Sequence, residues 1–179
     1  MHLPTSLGLA LICFTAGCGM PFWNPPPPPP EPATPPPASS ADIEAIYLTR
    51  SACLGPCPHY HLLLRSDGTA TYVGVTDTTQ VGTYDSQLDS MTFRALASAI
   101  VRNGFFDHPD LPISFDAPVT SITVFVRDPV LRHKAVVGCM PDYHYLWPLA
   151  ATLDSLGATL PWQFRSSDTL PPGSPGGAV

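Results

Sequence analysis

Lysine is almost absent from this 179-residue chain: Lys134 is the only one, and Lys and Arg together number 8 against 14 Asp and Glu. A net charge of -6 with so few cations argues against nucleic acid or an anionic lipid surface as a partner. Charge of either sign is scarce, at 12% of residues against roughly 25% in ordinary soluble chains. Also missing is any apolar run long enough to span a bilayer; the longest, residues 7–14, is far short of about 20 residues. No internal repeat is present, and there is no Gly-x-Ser-x-Gly elbow, phosphate-binding loop or His-Glu-x-x-His pair. The sequence therefore displays no assembled active site, and a non-catalytic role is the expectation.

What is present begins with that short apolar run, which reads as the core of a secretory signal. It ends in Thr15-Ala16-Gly17-Cys18, and small residues before a cysteine resemble a bacterial lipoprotein signal, with Cys18 as the lipidated residue. The resemblance implies removal of residues 1–17 and a chain held at the bacterial cell envelope, facing periplasm or exterior. His2 stands where Lys or Arg is usual, and Thr15 where Leu is usual. Much of the proline, 24 residues in all, follows in a tract over 25–37. Polyproline II at about 3.1 Å per residue makes residues 18–42 an extended, lipid-anchored linker. Residues 165–179, dominated by Ser, Pro and Gly, are expected to be a disordered tail. Residues 43–164 then form one domain.

Within it, residues 43–49 read as a first strand. Residues 60–65 and 70–73 flank Asp67-Gly68, a dipeptide suited to a two-residue hairpin loop. That loop would set Leu64 opposite Thr71, Leu62 opposite Val73 and Leu63 opposite Tyr72. A further strand is expected over 80–84. Phe93, Leu96, Ala97, Ile100 and Val101 make one helical stripe, capped by Asp89 or Ser90 and stopped at Asn103-Gly104. Strands over 120–126 and 134–139, turned at Arg127-Asp128-Pro129, precede a second helix from Pro148 to Gly157 that buries Leu149, Leu153 and Leu156. The fold class is α+β: a single small domain, an antiparallel β-sheet with two helices packed on one face.

One segment is distinctive: Arg50-Ser51-Ala52-Cys53-Leu54-Gly55-Pro56-Cys57-Pro58-His59-Tyr60. It resembles the Arg-x-x-Cys-x-Gly-x-Cys-Pro-x-Tyr motif of a bacterial extracytoplasmic family, domain of unknown function 6438. Asp67-Gly68-Thr69 and Tyr72-Val73-Gly74 continue the likeness, which extends through Gly104-Phe105-Phe106 and Asp116-Ala117-Pro118 to the Pro148 helix. The resemblance implies a fold and no activity.

Three readings compete for Cys53 and Cys57. In an oxidising compartment two cysteines this close pair readily, with Gly55-Pro56 as the turn between them. So small a loop contributes about 2 kcal/mol, whereas a Cys57–Cys139 link would contribute about 4.5 kcal/mol. Stereochemistry has to decide between them. The second reading is thiol–disulfide exchange, although redox pairs usually space their cysteines by two residues beside a helix start. In the third, His59 and His61, on one strand face beside two thiols, hold zinc or copper. His133 and His144 are isolated, and Asp107, Asp110 and Asp116 suit turn capping better than a calcium loop.

The expectation is thus an envelope lipoprotein whose domain is a binding or interaction module. Its partners would be the membrane, through the anchor, and an envelope protein or cell-wall ligand, with no cofactor. The alternative is a thiol-redox or metal-handling protein using Cys53, Cys57, His59 and His61.

Overall fold

The computed structural model describes residues 39–109, 117–127, 130–139 and 145–170. Among these residues seven strands form one antiparallel sheet: β1 (Ile43–Arg50), β2 (His59–Arg65), β3 (Thr69–Thr76), β4 (Gly82–Gln87), β5 (Val119–Arg127), β6 (Leu131–Cys139) and β7 (Gln163–Ser166). Their spatial order is β6-β5-β1-β2-β3-β4-β7. Helix α1 (Ser90–Arg102) lies between β4 and β5 in the chain, and α2 (Leu146–Thr159) between β6 and β7. The α+β class is as the sequence implies. Among the described residues no helix is long and apolar enough to cross a membrane.

Both helices cover one face of the sheet. Ile46 lies opposite Leu64 and Val124, and Leu48 opposite Leu62 and Ile122, giving a continuous apolar layer. Phe93, Leu96, Ala97 and Ile100 of α1 and Leu146, Ala150 and Leu153 of α2 complete the same buried cluster. The α1 stripe is as its periodicity predicts, and Asp89 caps it by accepting from the Met91 and Thr92 backbone N–H groups at 2.9 Å. Gly104, at φ +65°, ends it in the left-handed region that favours glycine.

The β2–β3 hairpin departs from expectation by one residue. Leu64 pairs with Ala70, Leu63 with Thr71, Leu62 with Tyr72 and His61 with Val73. The physical reason is the loop. Only Gly68 takes positive φ, at +89°, and its N–H donates to the Arg65 carbonyl at 3.1 Å, so three residues rather than two make the turn. The Asp67 carboxylate holds it by accepting from the Thr69 N–H at 2.8 Å and the Thr69 hydroxyl at 2.7 Å. A one-residue slip exchanges the faces of a strand. Tyr72 therefore joins Leu62 and Leu64 on the helix-covered face, while Val73 lies with His61 on the other.

Other boundaries shift for local reasons. The chain crosses back over β3 through Asp77, at φ +53°, so β4 starts at Gly82 and not at residue 80. β5 and β6 are each longer than expected, and Asp128 and Pro129 of the turn between them lie outside the described residues. Helix α2 begins at Leu146, which is buried, and runs through Gly157 to Thr159. Pro148 is tolerated as its third residue because N–H groups in the first turn have no helical acceptor. Ser40–Asp42 form a 3-10 turn capped by Ser39, and the Ser40 and Ser98 hydroxyls meet at 3.2 Å, so the folded unit takes in residues assigned above to the linker. At the other end β7 crosses the expected boundary at residue 164 and pairs with β4.

Candidate functional site

Arg50 ends β1 and Tyr60 stands near the start of β2, directly opposite one another in the ladder. The connection between them is closed by a disulfide, Cys53–Cys57, with Cα atoms 5.6 Å apart. The Cys57 N–H donates to the Gly55 carbonyl at 2.8 Å, forming the turn that the Gly55-Pro56 pair suggests. Cys139 is outside this bridge, buried at the end of β6 opposite Val119. The bridge thus joins the closer of the two possible partners of Cys57.

Both strand ends point at one carboxylate on α2. The Arg50 guanidinium pairs with Asp154, and the Tyr60 hydroxyl donates to the other oxygen of the same group. Arg50 also donates to the Thr120 hydroxyl and lies over the Trp147 ring, 4.7 Å from its centroid. Burial, reinforced by the hydrogen bond to Asp154 and the charge of that carboxylate, pushes the Tyr60 phenol well above the usual tyrosine range. It is therefore a hydrogen-bond donor and not a base at physiological pH.

Beside this corner lies a cavity of about 350 Å³, between the C-terminal half of α2 and strands β2 and β3. Tyr60, Tyr72 and Trp162 form its aromatic wall, Leu62 and Leu160 add aliphatic surface, and Thr79, Gln80 and Asp154 supply polar groups. The aromatic rings touch one another: Tyr60 to Tyr72 is 5.4 Å between centroids, and Tyr72 to Trp162 is 5.6 Å. Tyr84 and Phe164 extend the row towards β7, 6.3 Å from Tyr72 and 5.5 Å from Tyr84 respectively.

Each wall is held by its own contact. The Trp162 indole N–H donates to the Gly157 carbonyl at 2.7 Å, and Tyr60 is held by Asp154. The turn carrying Thr79 and Gln80 packs onto Gly74 so closely that a Cβ there would lie 1.7 Å from the Gln80 carbonyl oxygen. The Thr78 hydroxyl donates to that same oxygen at 2.9 Å. Gly157 lets α2 approach the sheet, since a Cβ on it would stand 3.2 Å from Leu62 Cδ2.

The two candidate metal-binding histidines lie on the other face of the sheet. His61 is buried, with Nδ1 2.8 Å from the Tyr47 hydroxyl and 3.3 Å from the Thr49 hydroxyl. The His59 ring is 5.4 Å away. Desolvation, with a smaller effect from the charge of His59, brings the pKa of His61 down to about 4. Among the described residues, no three His, Cys, Asp or Glu side chains gather where a metal ion could sit. Cys53 and Cys57 face each other in the bridge. Of the remaining candidates, Asp110, Asp116 and His144 lie outside the described residues, as does Cys18.

Sequence reasoning did not assign Asp154, Tyr72, Gln80 or Trp162 to a site. Asp154 carried a usable signal: it is the only charged residue in an otherwise apolar and small α2. Tyr72 was hidden by the hairpin slip.

Residues 44–132 match DUF6438, a domain of unknown function. The match takes in the Arg50, Cys53, Gly55, Cys57, Pro58 and Tyr60 positions and the β1–β4 meander from its second residue onward. It stops at Arg132, short of the Pro148 helix to which the likeness was expected to run. The DUF6438 segment therefore supplies Tyr60, Tyr72, Thr79 and Gln80 to the cavity, while Asp154 and Trp162 come from beyond it. No curated protein and no solved structure matches the chain.

Proposed function

We propose that this chain is a non-catalytic binding module of the bacterial envelope, tethered through a lipid on Cys18 and the proline-rich linker. The cavity beside the disulfide corner is its ligand seat. The observation that carries this reading is a preformed cavity whose Tyr60 and Trp162 walls are each fixed by a hydrogen bond, with Tyr72 packed between them. Walls that are already ordered spare the ligand the entropy of ordering them. The polar groups at its base suit recognition better than reaction: Asp154 is engaged by Arg50 and Tyr60, and the Tyr60 phenol stays protonated. The thiol or metal alternative is disfavoured by the engagement of Cys53 with Cys57 and of His61 with Tyr47.

The test is thermal unfolding of the full chain with and without a soluble extract of envelope material. A ligand bound at the cavity raises the Tm by mass action. Ala158, which lines the seat and is exposed, offers a plug: Ala158→Trp fills the space without removing a wall. The expected result is a rise in Tm for the natural chain and none for Ala158→Trp. An equal rise in both, or none in either, removes the cavity as the seat.

A further inference from the structure

We infer that the ligand of this cavity is a neutral saccharide unit, stacked on the Tyr60–Tyr72–Trp162 wall and hydrogen-bonded by Gln80 and Thr79. The inference rests on the cavity being the binding seat. Ring spacing carries its first step. Neighbouring centroids only 5.4 and 5.6 Å apart, with planes tilted by 30° and 41°, leave no room for a group between them. The rings pack against one another and leave no open cage of the kind that surrounds a quaternary ammonium, so a ligand meets the ring surface that lines the cavity. An aromatic surface of this kind accepts a ligand that lays an apolar face on it. The C–H face of a sugar ring does so, since its weakly positive hydrogens meet the negative faces of the aromatic rings.

Charge carries the second step. Among the described residues Asp154 is the one acid lining the seat, and the Arg50 guanidinium offsets it at contact distance. Neither an anion nor a cation finds an uncompensated partner there, which favours a neutral ligand. The rim carries the third. The Gln80 side chain offers both a carbonyl and an amide, and Thr79 a hydroxyl that can donate or accept. That mixture suits hydroxyl and acetamido groups, which also do both. Gly74 lets the backbone of the turn that bears them pack closely onto β3. Size agrees: about 350 Å³ is at the small end of ligand pockets, which run from roughly 300 to 1,000 Å³, and suits a sugar residue better than a peptide laid along a groove.

The experiment is a titration of the isotope-labelled full chain, followed by amide and indole NMR signals. The probes are the trimer of N-acetylglucosamine, cellotriose, maltotriose and mannotriose, with a proline-rich peptide as comparison, each to about 10 mM. At least one trisaccharide should shift the Trp162 indole and Gln80 side-chain signals saturably. Gln80→Ala, which leaves the aromatic rings intact, should then weaken binding about 10-fold, the loss expected when a hydrogen bond worth about 1.4 kcal/mol is removed. Ala158→Trp should abolish it. If only the peptide moves these signals, the saccharide inference falls and the binding seat stands. If no probe moves them and envelope extract leaves the Tm unchanged, both fall.

Discussion

Asp154 is the side chain on which the two strand ends of the disulfide corner converge, so its loss strands two donors at once. Asp154→Ala should lower stability by about 1.5–3 kcal/mol, the range for hydrogen bonds involving a charged group, because the largely buried Arg50 loses its counter-ion. Urea unfolding measures it, and Asp154→Asn should recover part of the loss by keeping an acceptor. His61 gives a second prediction at this scale. Its pKa is about 4 in the fold against 6.5 when unperturbed, so between those values the unfolded chain binds the proton more readily. The contribution of the neutral ring is complete above about pH 6.5, diminishes as pH falls towards 4, and changes no further below that. Asp67 and Asp89, whose carboxyl pKa values are lowered mainly by hydrogen bonds from Thr69 and Thr92, add the same sign in more acidic solution. Comparing urea midpoints of the natural chain and His61→Phe between pH 7 and pH 4.5 isolates the imidazole: the variant should show the shallower dependence.

Among the elements, the disulfide turn and β7 make opposite demands on stability. Opening Cys53–Cys57 releases only a short loop, so reduction should cost about 2 kcal/mol and leave a folded chain that unfolds at a lower urea concentration. Complete unfolding on reduction would show that the bridge organises much more than the corner. Ending the chain at Leu160, by contrast, removes Trp162 and all of β7, exposing Tyr72 and Tyr84. Loss of one large aromatic from a packed site costs about 3–5 kcal/mol, so this shorter chain should melt far below one that ends at Leu170. The sequence made α1, the β2–β3 and β5–β6 pairs and the disulfide turn legible, because each depends on neighbours in the chain. The hairpin slip was not legible: Asp-Gly suits two turn lengths, and the carboxylate bonds of Asp67 to Thr69 favour the longer. β7 escaped notice because Gln163–Ser166 is exposed along most of its length and has no alternation to read. Its partner Thr83 lies some eighty positions earlier.

For the molecule as a whole, the tether is testable apart from the fold. Cys18→Ala should move the protein from the membrane fraction to the soluble one, or leave residues 1–17 attached, as intact mass would report. An unmodified mature chain beginning at another residue would remove the lipid anchor from the account. The strand order carries a different consequence, in time. β1 to β4 are neighbours in both sequence and space, and so are β5 and β6, but β1 must wait for β5 and β4 for β7. Pairings of such long sequence separation close slowly, typically in milliseconds to seconds. A folding chain therefore builds two separate pieces of sheet first. Gln163–Ser166, paired with β4 across some eighty positions, close the far edge beside the cavity only once β4 is in place.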